Sequence, residues 1–298
     1  MNYLCICMSP AIDANVKLAS APKGEGEIFK NVVVEENVGG KTINVARWLA
    51  LRGAKVTAAG LLGEDNAAPF EKEFAKYGII DQMTRVKGAT RRNEMITWPG
   101  GSFKLNQAAF PGVKTEAIAD GDGTPSLPST LQLQLSTSTH TVILSGSLPK
   151  CCGDDYYAKA VAKYKAQGAF VVLDASGEPM KLALKSHPDL IKPNAEECEA
   201  LVGFIPKTPD EFKKATMLLK EMASEVIISD GAAGAWFNGE FYPAPKVECV
   251  DSTAAGDTLL AEYCFSRDPY LAVSAGSAAV EMPGSNPPSI ERVMAIYR

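Results

Sequence analysis

The chain of 298 residues is short of histidine. It has two, His140 and His187, and its seven cysteines form no CxxC pair. So few imidazoles argue against a serine-type triad. An odd count of scattered thiols suggests neither a zinc site nor a disulfide framework and fits a reducing, cytoplasmic setting. His140 lies in a Ser/Thr run and His187 precedes Pro188 in a polar loop, so both are expected at the surface. No segment approaches about 18 consecutive apolar residues, which excludes a membrane-spanning helix. The first lysine is Lys17, so the apolar start, 1–8, reads as a buried first strand and not as a secretory signal. Positive charge is scarce too: 30 Lys and Arg face 35 Asp and Glu. That balance leaves no footprint for nucleic acid or an anionic membrane surface, only the option of a local basic pocket for a small anion. The GxxxxGK[ST] loop of P-loop enzymes is missing, as are internal repeats and low-complexity tracts.

What remains is the makeup of a globular enzyme with a large core: 46% hydrophobic and 22% charged residues. Strand and helix patterns alternate, which predicts an α/β fold with a mainly parallel sheet. Strands are expected at 4–8, 56–62, 141–145, 169–173 and 226–229, with a strand or lead-in over 186–191. Helices are expected at 42–51, 67–77 (closed by Gly78), 154–165, 195–201, 209–223, 255–265 and 270–280. Two stretches, 12–37 and 93–109, read as short strands without intervening helices and predict a small antiparallel sheet. One face of it would need covering by a ligand or a second subunit. Residues 112–130 read as a surface loop, and 131–135 fit helix and strand equally well.

Several motifs could carry chemistry. Asp251-Ser-Thr-Ala-Ala-Gly-Asp257 precedes an apolar helix. Its free backbone N–H groups suit an anion, and Asp257, in the first turn, could accept a proton from a hydroxyl or simply stabilise its own helix. Gly39-Gly40-Lys41-Thr-Ile-Asn44 also opens a helix, with room for close ligand approach, a point charge, and an amide one turn on. Asn194 and Glu197 form a capping-box pattern that could instead organise water around Mg²⁺. Ser229, Gly231 and Gly234 could receive a nucleotide or turn a hairpin. Arg91 and Arg92 suit phosphate, although Arg92 reads as a solvated charge. Asp13 follows the first strand, where α/β sheets place ligands.

In chain order, from Asp13 through Gly39-Gly40-Lys41, Arg91, Asn194-Glu197 and Gly231-Gly234 to 251–257, the motifs resemble the PfkB (ribokinase-like) carbohydrate kinases over nearly the whole chain. Residues 39–46 are similar to the first family signature. Residues 251–257 are similar to the second, usually DTxGAGD, with Ala254 in place of its first glycine. Ser9-Pro-Ala-Ile-Asp13, Thr90-Arg-Arg-Asn93, Lys104-Leu-Asn106 and Ser145-Gly-Ser-Leu-Pro149 resemble the branch that acts on phosphosugars. The resemblance implies one ribokinase-like domain over 1–298: a three-layer sandwich with a central, mainly parallel sheet and a lid from 12–37 and 93–109. It implies an ATP- and Mg²⁺-dependent kinase of a phosphorylated ketohexose. Asp257 would be the base, and the N–H groups of Ala254, Ala255, Gly256 and Asp257 the anion hole. Asp13, Gly39, Gly40 and Asn44 would hold sugar hydroxyls, with Asn106 nearby, while Lys41 and Arg91 would meet the sugar's phosphate. Asn194 and Glu197 would support Mg²⁺, and Ser229, Gly231 and Gly234 would line the nucleotide. A homodimer through the lid is also implied. A kinase of a free sugar or nucleoside, or a sugar-phosphate sensor, remain alternatives. The connection after Phe265 is shorter than usual for the family.

Overall fold

The computed structural model describes residues 1–110 and 140–297. The stretches 112–130 and 131–135 lie outside the described residues. In chain order the first half holds β1 (Asn2–Cys7), β2 (Ala11–Lys17), β3 (Val33–Gly39), α1 (Lys41–Leu51), β4 (Lys55–Gly63), α2 (Ala68–Tyr77), β5 (Ile80–Val86), β6 (Arg92–Trp98) and β7 (Gly101–Asn106). Next come β8 (His140–Ser145), α3 (Tyr156–Ala166), β9 (Phe170–Asp174), α4 (Gly177–Leu184), β10 (Leu190–Ile191), α5 (Ala195–Val202) and α6 (Pro209–Lys220). The last part holds β11 (Glu225–Ser229), β12 (Gly234–Phe237), β13 (Glu240–Pro243), α7 (Ala255–Ser266), α8 (Pro269–Ala279) and α9 (Ile290–Ile296).

The strand β1 shows why there are three layers. Tyr3, Cys5 and Cys7 point into one apolar cluster, and Leu4, Ile6 and Met8 into another. A strand dry on both faces needs helices on both. The first cluster is filled from α1, α2, α7, α8 and α9, for example by Trp48, Phe70, Leu260 and Val293. The second is filled from α3, α4, α5 and α6, for example by Tyr157, Met180, Cys198 and Phe212. The sheet between them runs β13-β12-β11-β10-β9-β8-β1-β4-β5. All pairings from β11 to β5 are parallel, and β12 and β13 add an antiparallel edge. From β1 the chain goes first to β4 on one side and later to β8 on the other. The carboxyl ends of β1 and β8 therefore frame a topological switch point, where such sheets bind ligands.

A second sheet has the order β3-β2-β6-β7. Its outer pairings are antiparallel and the central β2–β6 pairing is parallel. Register places Asn37, Asp13, Asn93 and Asn106 in one row across all four strands. The opposite face carries Val34, Val16, Ile96 and Phe103 in another row.

Elements not anticipated are β5, α4, α9 and β13, while β12 pairs back on β11 through the hairpin turn that Gly231 and Gly234 offered as the alternative to a nucleotide contact. The edge strand β5 buries only Met83 and Val86, so its alternation is faint. In α4, Gly177 and Pro179 imitate a loop, yet proline is tolerated in a first helical turn. His187 is exposed, as expected. Among the described residues no helix is long and apolar enough to cross a membrane.

Candidate active site

Two helix N-termini meet at the switch point. Helix α1 starts after Gly40, whose φ of 114° is one that side chains rarely adopt. A Cβ on Gly39 would run into the Asp13 carboxylate. The two glycines therefore let the Asp13 strand and the helix start come together. Asp13 accepts a hydrogen bond from Asn93 Nδ2 at 2.9 Å, and burial pushes its pKa up. Asp13, Asn15, Asn93, Lys104, Asn106 and Thr253 are among the residues lining a cavity of about 190 Å³.

The other terminus is that of α7. Asp251 ties the preceding loop: Oδ1 accepts from the Thr253 N–H and hydroxyl, and Oδ2 from the Gly284 N–H. The first bond into the helix runs from the Thr258 N–H to the Ala254 carbonyl, so the N–H groups of Gly256 and Asp257 precede the intrahelical ladder. The Ala255 N–H makes a long bond of 3.4 Å to the Ser252 carbonyl. Buried beneath, Asp257 Oδ2 accepts from Asn44 Nδ2 at 2.8 Å. Burial, with the Asp174 charge second, pushes the Asp257 pKa up to about 7, against the opposing pull of Lys41, Asn44 and Lys192. A general base works best with a pKa near the operating pH. Asn44 is thus engaged with Asp257 itself.

Asp174, at the end of β9, is the residue that sequence reasoning missed. It is fully buried and sits 3.3 Å from Lys192 Nζ and 3.5 Å from Lys41 Nζ, and it accepts from the Ser145 hydroxyl at 3.1 Å. Burial alone would raise its pKa, but Lys192 and Lys41 outweigh that and hold it below the ordinary carboxylate value. Lys192, also passed over, is buried beside α7: a Cβ on Gly256 would stand 3.3 Å from its Nζ. A polar residue ending an apolar strand, as in Leu173-Asp174 and Ile191-Lys192, was the available signal. Lys41 turns toward Asp174, which raises its pKa. Among the described residues, Arg91 reaches only main-chain oxygens, those of Ser9, Pro10 and Gln107, at 3.2–3.4 Å. Arg92 pairs with Glu36 and Glu94, the surface role expected of it.

On the other side of Lys41, Asn194 and Glu197 close a capping box. Asn194 Oδ1 accepts from the Glu197 N–H at 2.6 Å, and Glu197 Oε2 from the Asn194 N–H at 3.0 Å. Glu197 Oε1 carries no hydrogen bond among the described residues, and its charge acts on Lys41. Ser229 bridges to Asn194 at the end of β11. Gly231 and Gly234 have φ of 52° and 138° in the turn to β12. A Cβ on Gly234 would strike the Tyr242 carbonyl, so that glycine is required by the hairpin.

The model of the pfkB family carbohydrate kinases matches residues 6–262. The chain belongs to this family. It is 33% identical to the 1-phosphofructokinase of Rhodobacter capsulatus over 270 residues, covering 88% of this chain and 82% of that protein. Against the 1-phosphofructokinase of Escherichia coli K12 it is 31% identical over 261 residues, covering 86% and 80%. Phosphofructokinase-2 from Escherichia coli, solved in complex with substrates and products, superimposes with a TM-score of 0.85 at 23% identity, covering 99% of this chain and 97% of that one. At that identity the likeness speaks for the fold alone.

Ala254, the departure from the PfkB signature, caps α7 with φ −109° and is buried. With φ negative, alanine avoids the left-handed penalty that would call for glycine here. Ala254→Gly is therefore expected to leave turnover nearly unchanged and to lower stability by about 0.4–1 kcal/mol through a freer unfolded chain. Steady-state rates and urea melts check both. After α7, only Arg267 and Asp268 separate it from α8, and Asp268 caps that helix through the Leu271 N–H.

Proposed function

We propose that the protein transfers the γ-phosphoryl group of ATP to a hydroxyl of a phosphorylated ketohexose, as the name of its 1-phosphofructokinase relatives describes. The observation that carries this reading is the buried Asp257 carboxylate, poised near pH 7 in the first turn of α7. It would take the proton of the acceptor hydroxyl as that oxygen bonds to the γ-phosphorus and the bond to the ADP oxygen breaks. Charge on the transferring group would fall on the N–H groups of Gly256 and Asp257, with Lys41 and Lys192 close behind. Such transfers need alignment and neutralisation more than covalent help.

Mg²⁺ fits the residues present. It dehydrates reluctantly and is held by one or two carboxylates plus phosphates. Among the described residues no three acidic, His or Cys side chains are grouped to hold a metal. Glu197, with a free oxygen beside Asn194, suits water-mediated support. When bound, the ion would supply neutralisation of the phosphate charge. Ser229 and Gly231 would flank the nucleotide.

The small sheet would act as the lid, its row of Asn37, Asp13, Asn93 and Asn106 reading sugar hydroxyls. Arg91 supports a phosphorylated substrate, because among the described residues its guanidinium has no carboxylate hydrogen-bonded to it. Arg91→Ala should raise KM for the phosphorylated sugar about 10- to 150-fold, as a charge-assisted hydrogen bond implies. Turnover of an unphosphorylated analogue should hardly change. Equal loss on both would assign Arg91 a structural role. The decisive assay is coupled ATP turnover against free and phosphorylated ketohexoses. Turnover confined to free sugars or nucleosides, or none with tight sugar-phosphate binding, would replace this reading.

The other face of the lid exposes Val34, Phe103 and Leu105. We propose that a second copy covers it in a two-fold dimer, since an apolar sheet face in water invites pairing. Sedimentation at micromolar concentration should give a dimer, and Phe103→Lys should release monomer. A wild-type monomer with and without sugar phosphate would defeat the proposal.

A further inference from the structure

Behind the Asn44–Asp257 hydrogen bond lies a charged side chain that the reaction as described does not use. Arg47, one turn further along α1, is 1% exposed. Its NH2 group donates to Asn44 Oδ1 at 2.6 Å, to the Ser285 carbonyl at 2.7 Å and to the Ser285 hydroxyl at 3.2 Å. Its NH1 group donates to Glu73 Oε1, on α2, at 3.0 Å. Resting on the reading of Asp257 as the base, we propose that Arg47 is a positioning residue that locks the Asn44 side chain in the orientation that hydrogen-bonds Asp257.

The argument is one of donor and acceptor inventory. A guanidinium only donates and an ionised carboxylate only accepts. Asn44 stands between them, and its amide satisfies both in one orientation alone: oxygen to Arg47, N–H to Asp257. The flipped amide would set N–H against guanidinium and oxygen against carboxylate. Arg47 thus dictates the orientation, and Asn44 passes it to the base. The guanidinium is itself immobile, held from α1, from α2 and from Ser285 in the loop that lines the sugar-side cavity. Core packing gives no reason for it. Burying a charge costs stability that an apolar side chain of similar volume avoids, and Arg47 Nε has no hydrogen-bond partner among the described residues. The groups facing Asp257 are Lys41 and Asn44 from α1, Asp174 from β9 and Lys192 after β10. Arg47 acts on it at one remove.

The test follows the Asp257 carboxyl directly in ligand-free protein, by carbon NMR of labelled aspartate, with the resonance assigned by its loss in Asp257→Asn. Arg47→Lys keeps the charge but cannot hold both Asn44 and Ser285. It should raise the Asp257 midpoint by roughly one pH unit, the worth of a hydrogen bond to a charged group. The acidic limb of kcat should move with it while KM changes little. Asn44→Ala should give the same rise, and the double variant no further one. Arg47→Met, of similar length, serves where Arg47→Lys does not fold. Glu73→Gln keeps a hydrogen bond to Arg47 and should leave the midpoint in place. An unmoved Asp257 in the Arg47 variant, or a second rise in the double variant, overturns the proposal. Lack of wild-type turnover on sugar phosphates would instead strike the proposed reaction and leave the titration standing as the test of Arg47.

Discussion

Asp257→Asn is expected to lower kcat by roughly 10²–10⁴, the usual contribution of a positioned base, with little change in KM for the sugar phosphate. Asparagine keeps the shape and can still accept from Asn44 Nδ2, so binding survives while proton acceptance is lost. In the wild type, kcat should fall in inverse proportion to proton concentration below about pH 7, because only the ionised carboxylate accepts a proton. That limb should vanish in the variant. The same change should stabilise the protein. Asp257 titrates near 7 when folded and near the ordinary value of about 3.9 when unfolded, so its ionisation works against folding, increasingly from about pH 4 to pH 7. Asp257→Asn should therefore melt higher than wild type at pH 8 and show no such gain at pH 4. Near-normal turnover of the folded variant removes Asp257 from the mechanism. Equal melting at both pH values contradicts the raised pKa.

Asp174→Ala carries the largest expected loss of stability, about 3–5 kcal/mol, since removing one partner leaves a buried charge uncompensated. That charge is Lys192, whose side chain is 7% exposed, with Lys41 less deeply placed beside it. Because the Asp174 pKa is lowered on folding, its contribution is present above the unfolded value of about 3.9 and lost only as pH drops through the folded one. Urea melts at pH 7 should thus reveal the full deficit. Asp257 should respond in the opposite sense from Asp257's own raised state: with a neighbouring negative charge gone, its midpoint should drop. A deficit under about 1 kcal/mol, within the range of a surface pair, would mean that Lys192 finds another partner.

The legible features were those of local physics. Gly78 ends α2 in the left-handed conformation, and Asn194 and Glu197 form the capping box their spacing spelled out. The dry strand β1 declared a sheet covered on both faces. Asp257 could be picked out because a carboxylate in a first helical turn after small residues is a local pattern. Asp174 and Lys192 offered only a weak signal, a polar residue ending an apolar strand, whose meaning depends on which strands are neighbours. Only the adjacency of β9 and β10 sets them 3.3 Å apart.

The amino-acid sequence by itself determined the alternation of elements, the helix starts at Gly40 and Ala254, and the kinase signatures, all of which are written within a few turns of chain. The tertiary structure decided which of these groups share an environment. It turned Lys41 toward Asp174, set Asn44 between Arg47 and Asp257, and aligned Asn37, Asp13, Asn93 and Asn106 from four strands into one row. The physical reason is range. Caps and turns are settled by neighbours in sequence, whereas burial and charge act through space, so the pKa of Asp257 exists only once β9, β10 and two helix ends have met.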